Sequence, residues 1–407
     1  MYIKNIRLKN YRSLIELDLS LSPLNVLIGS NGSGKSNFLS LFNLLKHAAD
    51  GKFQDYIDDE IGGFNHLQHF NAPRTEIGQR VFIGLTIERL QTLNNIRVAE
   101  GFRTGMGEFT IEIGGRIGQG YIIKSEEITR PPYPNQTNSF RLLRAESGRV
   151  RNLSALPSLT SEPETEPFQL DSETELALSV LRDPRYPTLN EIRREIVDWQ
   201  MLRGFGSDAL ANMRRPQELR VPRMMRLDDK ASNLVSILYQ LGNRQEYSNH
   251  NRQLNEALKA AFDDFDRLDI PMTEGNSAML HYRSNELDQP VPAHLMSDGQ
   301  LRFIGLATTL LQPEPPSLLA IDEPEVGLHP KLLHILAELI QYAAQRTQLV
   351  ISTHSTVLLS KLAPENILVT TRDGGQTFIR RLDSERLKKW LNRYTLGELW
   401  EVGRLEQ

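Results

Sequence analysis

From Tyr2 to Leu19 apolar and polar residues alternate in two runs, Ile3, Ile6, Leu8 and then Leu14, Leu17, Leu19, with Lys9 to Ser13 between them. That pattern predicts a β-hairpin. Leu24 to Ile28 is almost wholly apolar and predicts a short buried strand, while Lys35 to His47 has helical spacing through Phe38, Leu41, Phe42 and Leu45. Segments such as VFIGLTIERL and EFTIEI, within 81–124, predict an antiparallel arm. Between Ser125 and Thr174 the chain is rich in Pro, Ser, Asn, Thr and Glu without a clear apolar period, which predicts a mobile loop or polar excursion and a boundary.

Helical spacing returns from Thr188 to Phe265, through Leu189, Ile192, Ile196 and Trp199 and then Leu234, Ile237, Leu238 and Leu241. This predicts a helical insertion, and the lack of a sustained heptad excludes a long coiled coil. From Ile270 onward strands and helices alternate, with SLLAI and QLVIS sized for buried parallel strands. The expected fold is α/β: a mixed sheet, an antiparallel β arm and a short helical insertion. Its expected parts are an N-terminal lobe at 1–170, a helical lever arm at 171–265 and a C-terminal lobe at 266–407.

The 407 residues, 39% of them hydrophobic, suffice for a sizeable core. Cysteine is absent, which rules out disulfide frameworks and thiolate metal sites and points to a reducing, cytoplasmic home. No stretch reads as a membrane span. A net charge of -4 argues against a surface that coats nucleic acid throughout, while a local basic groove stays open.

Gly29 to Ser36 reads GSNGSGKS, a complete GxxxxGKS phosphate loop between an apolar strand and an amphipathic helix. Its glycines let backbone N–H groups face a triphosphate, Lys35 reaches β and γ oxygens, and the Ser36 hydroxyl ligates Mg²⁺. Further on, LLAIDEP ends an apolar strand in two carboxylates: Asp322 for Mg²⁺ and Glu323 to polarise an attacking water. These two motifs leave kinases, helicases and transporter motors open. MSDGQ, from Met296 to Gln300, precedes a one-sided apolar helix, so Ser297 and the Gly299 amide lie at a helix start.

MSDGQ resembles the ABC signature LSGGQ, with Asp298 replacing a glycine, and EVGLHP resembles the D-loop, with His329 where many ABC proteins carry Asp. The opening IKNIRLKNYRSL resembles the start of RecF and SMC-like heads, and transporter motors do not begin this way. The chain is thus similar to RecF/SMC-like ABC-type ATPases, near the compact ATPase heads of the OLD nucleases. The resemblance implies ATP and Mg²⁺ as cofactors. Its nucleotide contacts would be Arg12, Gly29, Asn31, Gly32, Gly34, Lys35, Ser36 and Asn37, with Ser297, Gly299 and Gln300 supplied by a second copy. Lys35, Glu323 and His354, the switch histidine of STHS, would carry the chemistry. The metal site would be Ser36, Asp322 and a Q-loop glutamine, for which Gln68 is the candidate.

The resemblance also implies a homodimer that closes on ATP. OLD-type relatives carry a TOPRIM nuclease after the head, whereas only a short strand-and-helix tail follows His354, so a nuclease effector is expected in trans, in DNA maintenance or anti-phage defence. Arg214, Arg215, Arg220, Arg223 and Arg226 form a cluster that reads either as a DNA-backbone contact or as a solvated or partner-docking loop. A non-hydrolysing switch and a transporter motor with a membrane partner are the rival classes.

Overall fold

The computed structural model describes residues 1–69, 80–88, 106–116, 120–130, 140–153, 167–273 and 275–405. The chain divides into two compact units: Met1–Ser22, Gly29–Trp199 and Thr370–Arg380 form the first, and Pro23–Ile28, Gln200–Val369 and Arg381–Gln407 the second.

The first unit contains an eight-stranded sheet in the order Leu14–Ser20, Tyr2–Tyr11, Arg80–Glu88, Met106–Arg116, Gly120–Arg130, Phe140–Glu146, Arg149–Leu153 and Phe168–Gln169. Every pairing is antiparallel. Because side chains alternate faces, register decides what is buried. Leu8 stands opposite Leu17 and Ile83, Ile83 opposite Ile111, and Phe109 opposite Leu85 and Ile128. All of these are buried. Helix Lys35–Asp50 buries Phe38, Leu41, Phe42 and Leu45 as its spacing requires. Phe42 meets Phe38 and Trp199 edge-on at 5.6 and 6.1 Å. Each such side chain contributes about 1.5–3 kcal/mol by leaving water. The helix stops at Gly51, whose φ of 77° is the left-handed cap that glycine adopts without strain.

The polar stretch from Ser125 to Thr174 is not simply a loop. It supplies the end of Gly120–Arg130 and the next three strands, with Ile128, Leu143, Ala145, Val150 and Leu153 buried on one face. The exposed face hid the alternation: Arg141 pairs with Glu127 at 2.6 Å and Arg144 with Glu146 at 2.7 Å, charges suited to an outer sheet surface. Glu126 is fully buried and accepts the backbone N–H groups of Ala177 and Leu178 at 2.6 and 3.1 Å. Burial pushes its carboxyl from 4.5 up to about 7, against the opposing effect of those two hydrogen bonds.

The second unit is built on parallel strands in the order Gln200–Arg203, Leu318–Asp322, Gln348–Ser352, Leu24–Ile28 and the beginning of Ile367–Asp373. Leu24–Ile28 and Gln348–Ser352 are buried throughout, which explains their continuous apolar sequences. Helices Asp298–Leu310 and Pro330–Ala343 bury Leu301, Phe303, Ile304, Leu336 and Ile340 in the core. The region from Thr188 to Phe265 is less uniformly helical than its spacing predicts. Helices Pro187–Val197, Ser207–Met213, Leu234–Asn243 and Ser248–Ala261 are interrupted by strand Gln200–Arg203, which pairs with the acid strand, and Phe265 begins another strand. The four-residue QMLR is too short to show a period of two. Among the described residues no helix is long and apolar enough to cross a membrane.

Candidate functional site: a phosphate cradle, an acid strand and a signature turn

The phosphate loop lies in the first unit, where the chain leaves strand Leu24–Ile28 and enters helix Lys35–Asp50. Gly32 and Gly34 take φ of 75° and 110°. A Cβ on Gly29 would stand 2.3 Å from the Thr370 carbonyl, and one on Gly34 would stand 2.2 Å from Thr377 Oγ1, so glycine is required at both. Lys35 is buried and folds back to donate to the carbonyls of Gly29 and Ser30 at 2.9 and 3.1 Å. The helix start has no side-chain cap and no acid in its first turn, so its amides and partial positive charge are presented to an anion. Asn31 and Ser36 are exposed on this loop.

Around the cradle runs a polar chain. Thr377 donates to the Ser33 carbonyl at 2.8 Å and shares a 2.7 Å hydrogen bond with Ser13, which accepts from Asn37 Nδ2 at 2.7 Å. Arg12 reaches Asn37 Oδ1 at 3.4 Å, has a φ of 50°, and keeps a buried Nε–H that meets no acceptor among the described residues. A non-glycine residue in that region costs on the order of 1 kcal/mol or more, a cost found mostly at functional sites. Arg372 donates to the Gly32 carbonyl at 3.1 Å. Arg12, Ser13, Asn37, His66, His69 and Arg372 line a cavity of about 470 Å³ in this unit. The spacing of motifs did not flag His66, His69 or Arg372. A lone arginine in an RDGG turn carries no signal until the fold brings it to the loop.

In the second unit the strands end together, with Leu27 opposite Ser352 and Ser352 opposite Asp322. Strand Leu24–Ile28 therefore ends at the same end of this sheet as the acid strand. Asp322 accepts a hydrogen bond from Ser352 Oγ. Glu323 has a φ of 50° and donates its amide to the Ser352 carbonyl and hydroxyl, both at 3.1 Å. His354 Nε2 lies 3.5 Å from Glu323 Oε1. Glu325 ties the histidine segment down, accepting from Thr353 Oγ1 at 2.7 Å and from the His354 amide at 2.6 Å. Each unit carries a hard oxygen donor of the kind Mg²⁺ takes alongside water and phosphate, the Ser36 hydroxyl in the first and the Asp322 carboxylate in the second, so the donor chemistry fits the ion.

Ser297 caps helix Asp298–Leu310 in a complete capping box: its hydroxyl accepts the Gln300 amide at 3.2 Å, and Gln300 Oε1 accepts the Ser297 amide at 3.0 Å. Gly299 is tight, since a Cβ there would meet the Gly327 carbonyl at 3.1 Å. His329, where many ABC proteins carry Asp, caps helix Pro330–Ala343: its Nδ1 accepts the Lys331 amide at 3.2 Å. Gln68 bridges to Tyr11 and donates to Asn65 Oδ1 at 3.4 Å, and among the described residues its side chain has no partner on the phosphate loop. Of the arginine cluster, Arg214 bonds to Asp298 and Arg220 to Glu218, while Arg226 bonds to the Glu314 carbonyl.

Residues 24–360 match the family described as "AAA domain, putative AbiEii toxin, Type IV TA system". The OLD nuclease of Thermus scotoductus is 22% identical over 439 residues, covering 99% of this chain and 69% of that protein. The DNA replication and repair protein RecF of Corynebacterium jeikeium is 50% identical over 48 residues, 12% of this chain and 11% of RecF. The Old nuclease of Escherichia phage P2 is 34% identical over 74 residues, 18% of this chain and 13% of the nuclease. The chain thus spans about a tenth of these last two relatives. Among solved structures, an SMC head bound to the C-winged helix domain of ScpA shares the fold at a TM-score of 0.54 and 13% identity, covering 95% of this chain and 99% of the other. A Pyrococcus furiosus SMC head with an extended coiled coil, bound to the C-terminal domain of ScpA, aligns at a TM-score of 0.52 and 12% identity over 96% and 98%. With the family match running from the strand before the phosphate loop to the helix after His354, the chain belongs to this AAA-domain family, has the fold of an SMC head, and is similar in sequence to RecF and the OLD nucleases.

Proposed function

We propose that the protein binds ATP and Mg²⁺, pairs with a second copy of itself in doing so, and hydrolyses the ATP to reopen the pair. Support comes from one observation above all: the strand that feeds the phosphate loop and the strands ending in Asp322 and Ser352 finish at one sheet edge, with Glu323 and His354 3.5 Å apart there. Bound Mg²⁺ would supply charge neutralisation at the β and γ oxygens. The protein's own residues do the rest. Lys35 and the loop amides bind and orient the triphosphate, and Arg12 with the adjoining cavity takes the nucleoside side. Glu323 accepts a proton from the attacking water while His354 orients that water and its carboxylate. Ser297, Gly299 and Gln300 complete the site from the other copy. Gln68, bridged to Tyr11 at the end of strand Tyr2–Tyr11, stays the candidate metal contact.

The helical part within 171–265 would serve as a short lever arm, relaying closure to a separate effector in the cytoplasm. RecF is named for DNA replication and repair and the OLD relatives are named nucleases, which supports a role in DNA maintenance or anti-phage defence with a nuclease in trans. A group supplied in trans is worth about a thousandfold in phosphoryl-transfer rate. Specific ATPase activity should therefore rise with protein concentration, and DNA should alter it. Activity independent of concentration across the micromolar range would point to a self-contained site, and no hydrolysis at any concentration to a nucleotide switch.

A further inference from the structure

The signature turn carries a charge that its expected ligand would repel. Asp298 is the first residue of helix Asp298–Leu310, with 61% of its side chain exposed, beside the hydroxyl and amides that would receive a γ-phosphate. Such repulsion grows as two surfaces close and exclude water. Arg214 counters it. One guanidinium nitrogen donates to Asp298 Oδ1 at 2.7 Å and to the Met296 carbonyl at 2.9 Å, the two residues that flank Ser297. Arg214 is itself anchored, standing at the end of helix Ser207–Met213 with its amide on the Leu210 carbonyl at 3.1 Å. The preceding Met213 is fully buried, and its side chain packs close to Gly305 of the signature helix.

We propose that Arg214 is a positioning residue of the signature. It neutralises Asp298 and fixes the backbone on both sides of Ser297, so that the helix start faces the phosphate of a second copy as a net attractive surface. The assignment rests on the shared-site reading above. It also makes Asp298 and Arg214 a matched pair: the acid that departs from LSGGQ is tolerated because an arginine from the neighbouring loop covers it. Part of the arginine cluster thereby acts on the ATP site, with Arg214 aimed inward at the signature.

The test measures ATP-dependent pairing of the full chain by sedimentation in a Glu323→Gln background, with monomer ATP binding followed by a fluorescent analogue. Arg214→Gln should weaken pairing about tenfold or more, and adding Asp298→Gly should restore it to within about threefold. Nucleotide binding by the monomer should stay within about twofold in every variant. If Arg214→Gln pairs like its parent, or if the double variant melts like the parent yet stays weak, the assignment is overturned. Should Arg214→Gln fail to fold, Asp298→Gly alone decides: pairing at least as tight as the parent supports the assignment, and weaker pairing overturns it. A Glu323→Gln parent that stays monomeric with ATP overturns the shared-site reading and takes this assignment with it.

Discussion

Helix Lys35–Asp50 begins on Gly34, without a side-chain cap and without an acid in its first turn, whereas helix Asp298–Leu310 begins on Ser297, fully capped by its own Gln300 and carrying Asp298. In the proposed function both helix starts hold an anion by the same backbone logic. The first has no side-chain cap and keeps a buried lysine on the loop carbonyls of Gly29 and Ser30. In the second, Ser297 and Gln300 satisfy each other and must exchange hydrogen bonds when a phosphate arrives: the Ser297 hydroxyl, 3.1 Å from Gln300 Oε1, would turn to the newcomer while still accepting the Gln300 amide. A preformed site binds on its own, while a self-capped one contributes only when closure brings a strong acceptor. That difference would make nucleotide binding a property of one chain and hydrolysis a property of two.

Removing the lysine should break the first site most severely. Lys35→Ala loses charge-assisted bonds to phosphate and is expected to weaken ATP binding on the order of a hundredfold, read by equilibrium titration. Ser297→Ala sharpens the contrast. Titration should show ATP binding by the monomer unchanged, while turnover at high protein concentration falls about tenfold to a hundredfold. The lost cap should also lower stability by about 1 kcal/mol, visible as a small drop in melting temperature. If Ser297→Ala weakens monomer binding as Lys35→Ala does, the two helix starts are not separate in role.

A separate effect, on stability alone, concerns the sheet of the first unit. Glu126 holds protons more tightly folded than unfolded, its carboxyl being lifted from 4.5 to about 7 by burial. Between those values the native state binds more protons than the unfolded state, so stability falls as pH rises through the window. The loss should be on the order of 3 kcal/mol by pH 8 relative to pH 4.5. Glu126→Gln, which cannot ionise, should flatten that part of the profile in urea unfolding, and an unchanged slope would remove Glu126 as its source.

Legibility in the sequence followed how local the constraint was. GSNGSGKS, LLAIDEP and QLVIS could be placed on their loop and strands because each element's chemistry is contained in its own string, and the structure puts strands and helix where that reading expected. MSDGQ was legible as a helix start for the same reason. The arm beyond Ser125 was not, because its outward face carries paired charges and its inward face includes a glutamate, so the alternation is polar on both sides. Arg214, Arg372 and Glu325 act through partners 82, 340 and 28 residues away, which no periodicity reveals. His329 looked like a defect in a motif until its ring nitrogen proved to be the helix cap.

Light scattering on Glu323→Gln, with and without ATP and Mg²⁺, bears most directly on the central claim that one copy's cradle and another's signature hold the same nucleotide. The substitution removes the group that would draw a proton from water, a loss of about a hundredfold to ten-thousandfold in rate, and leaves every binding residue in place. The expected result is a monomer without nucleotide and a stable dimer with it, lost again when Ser297→Ala is added. A Glu323→Gln protein that binds ATP and remains monomeric would contradict the account.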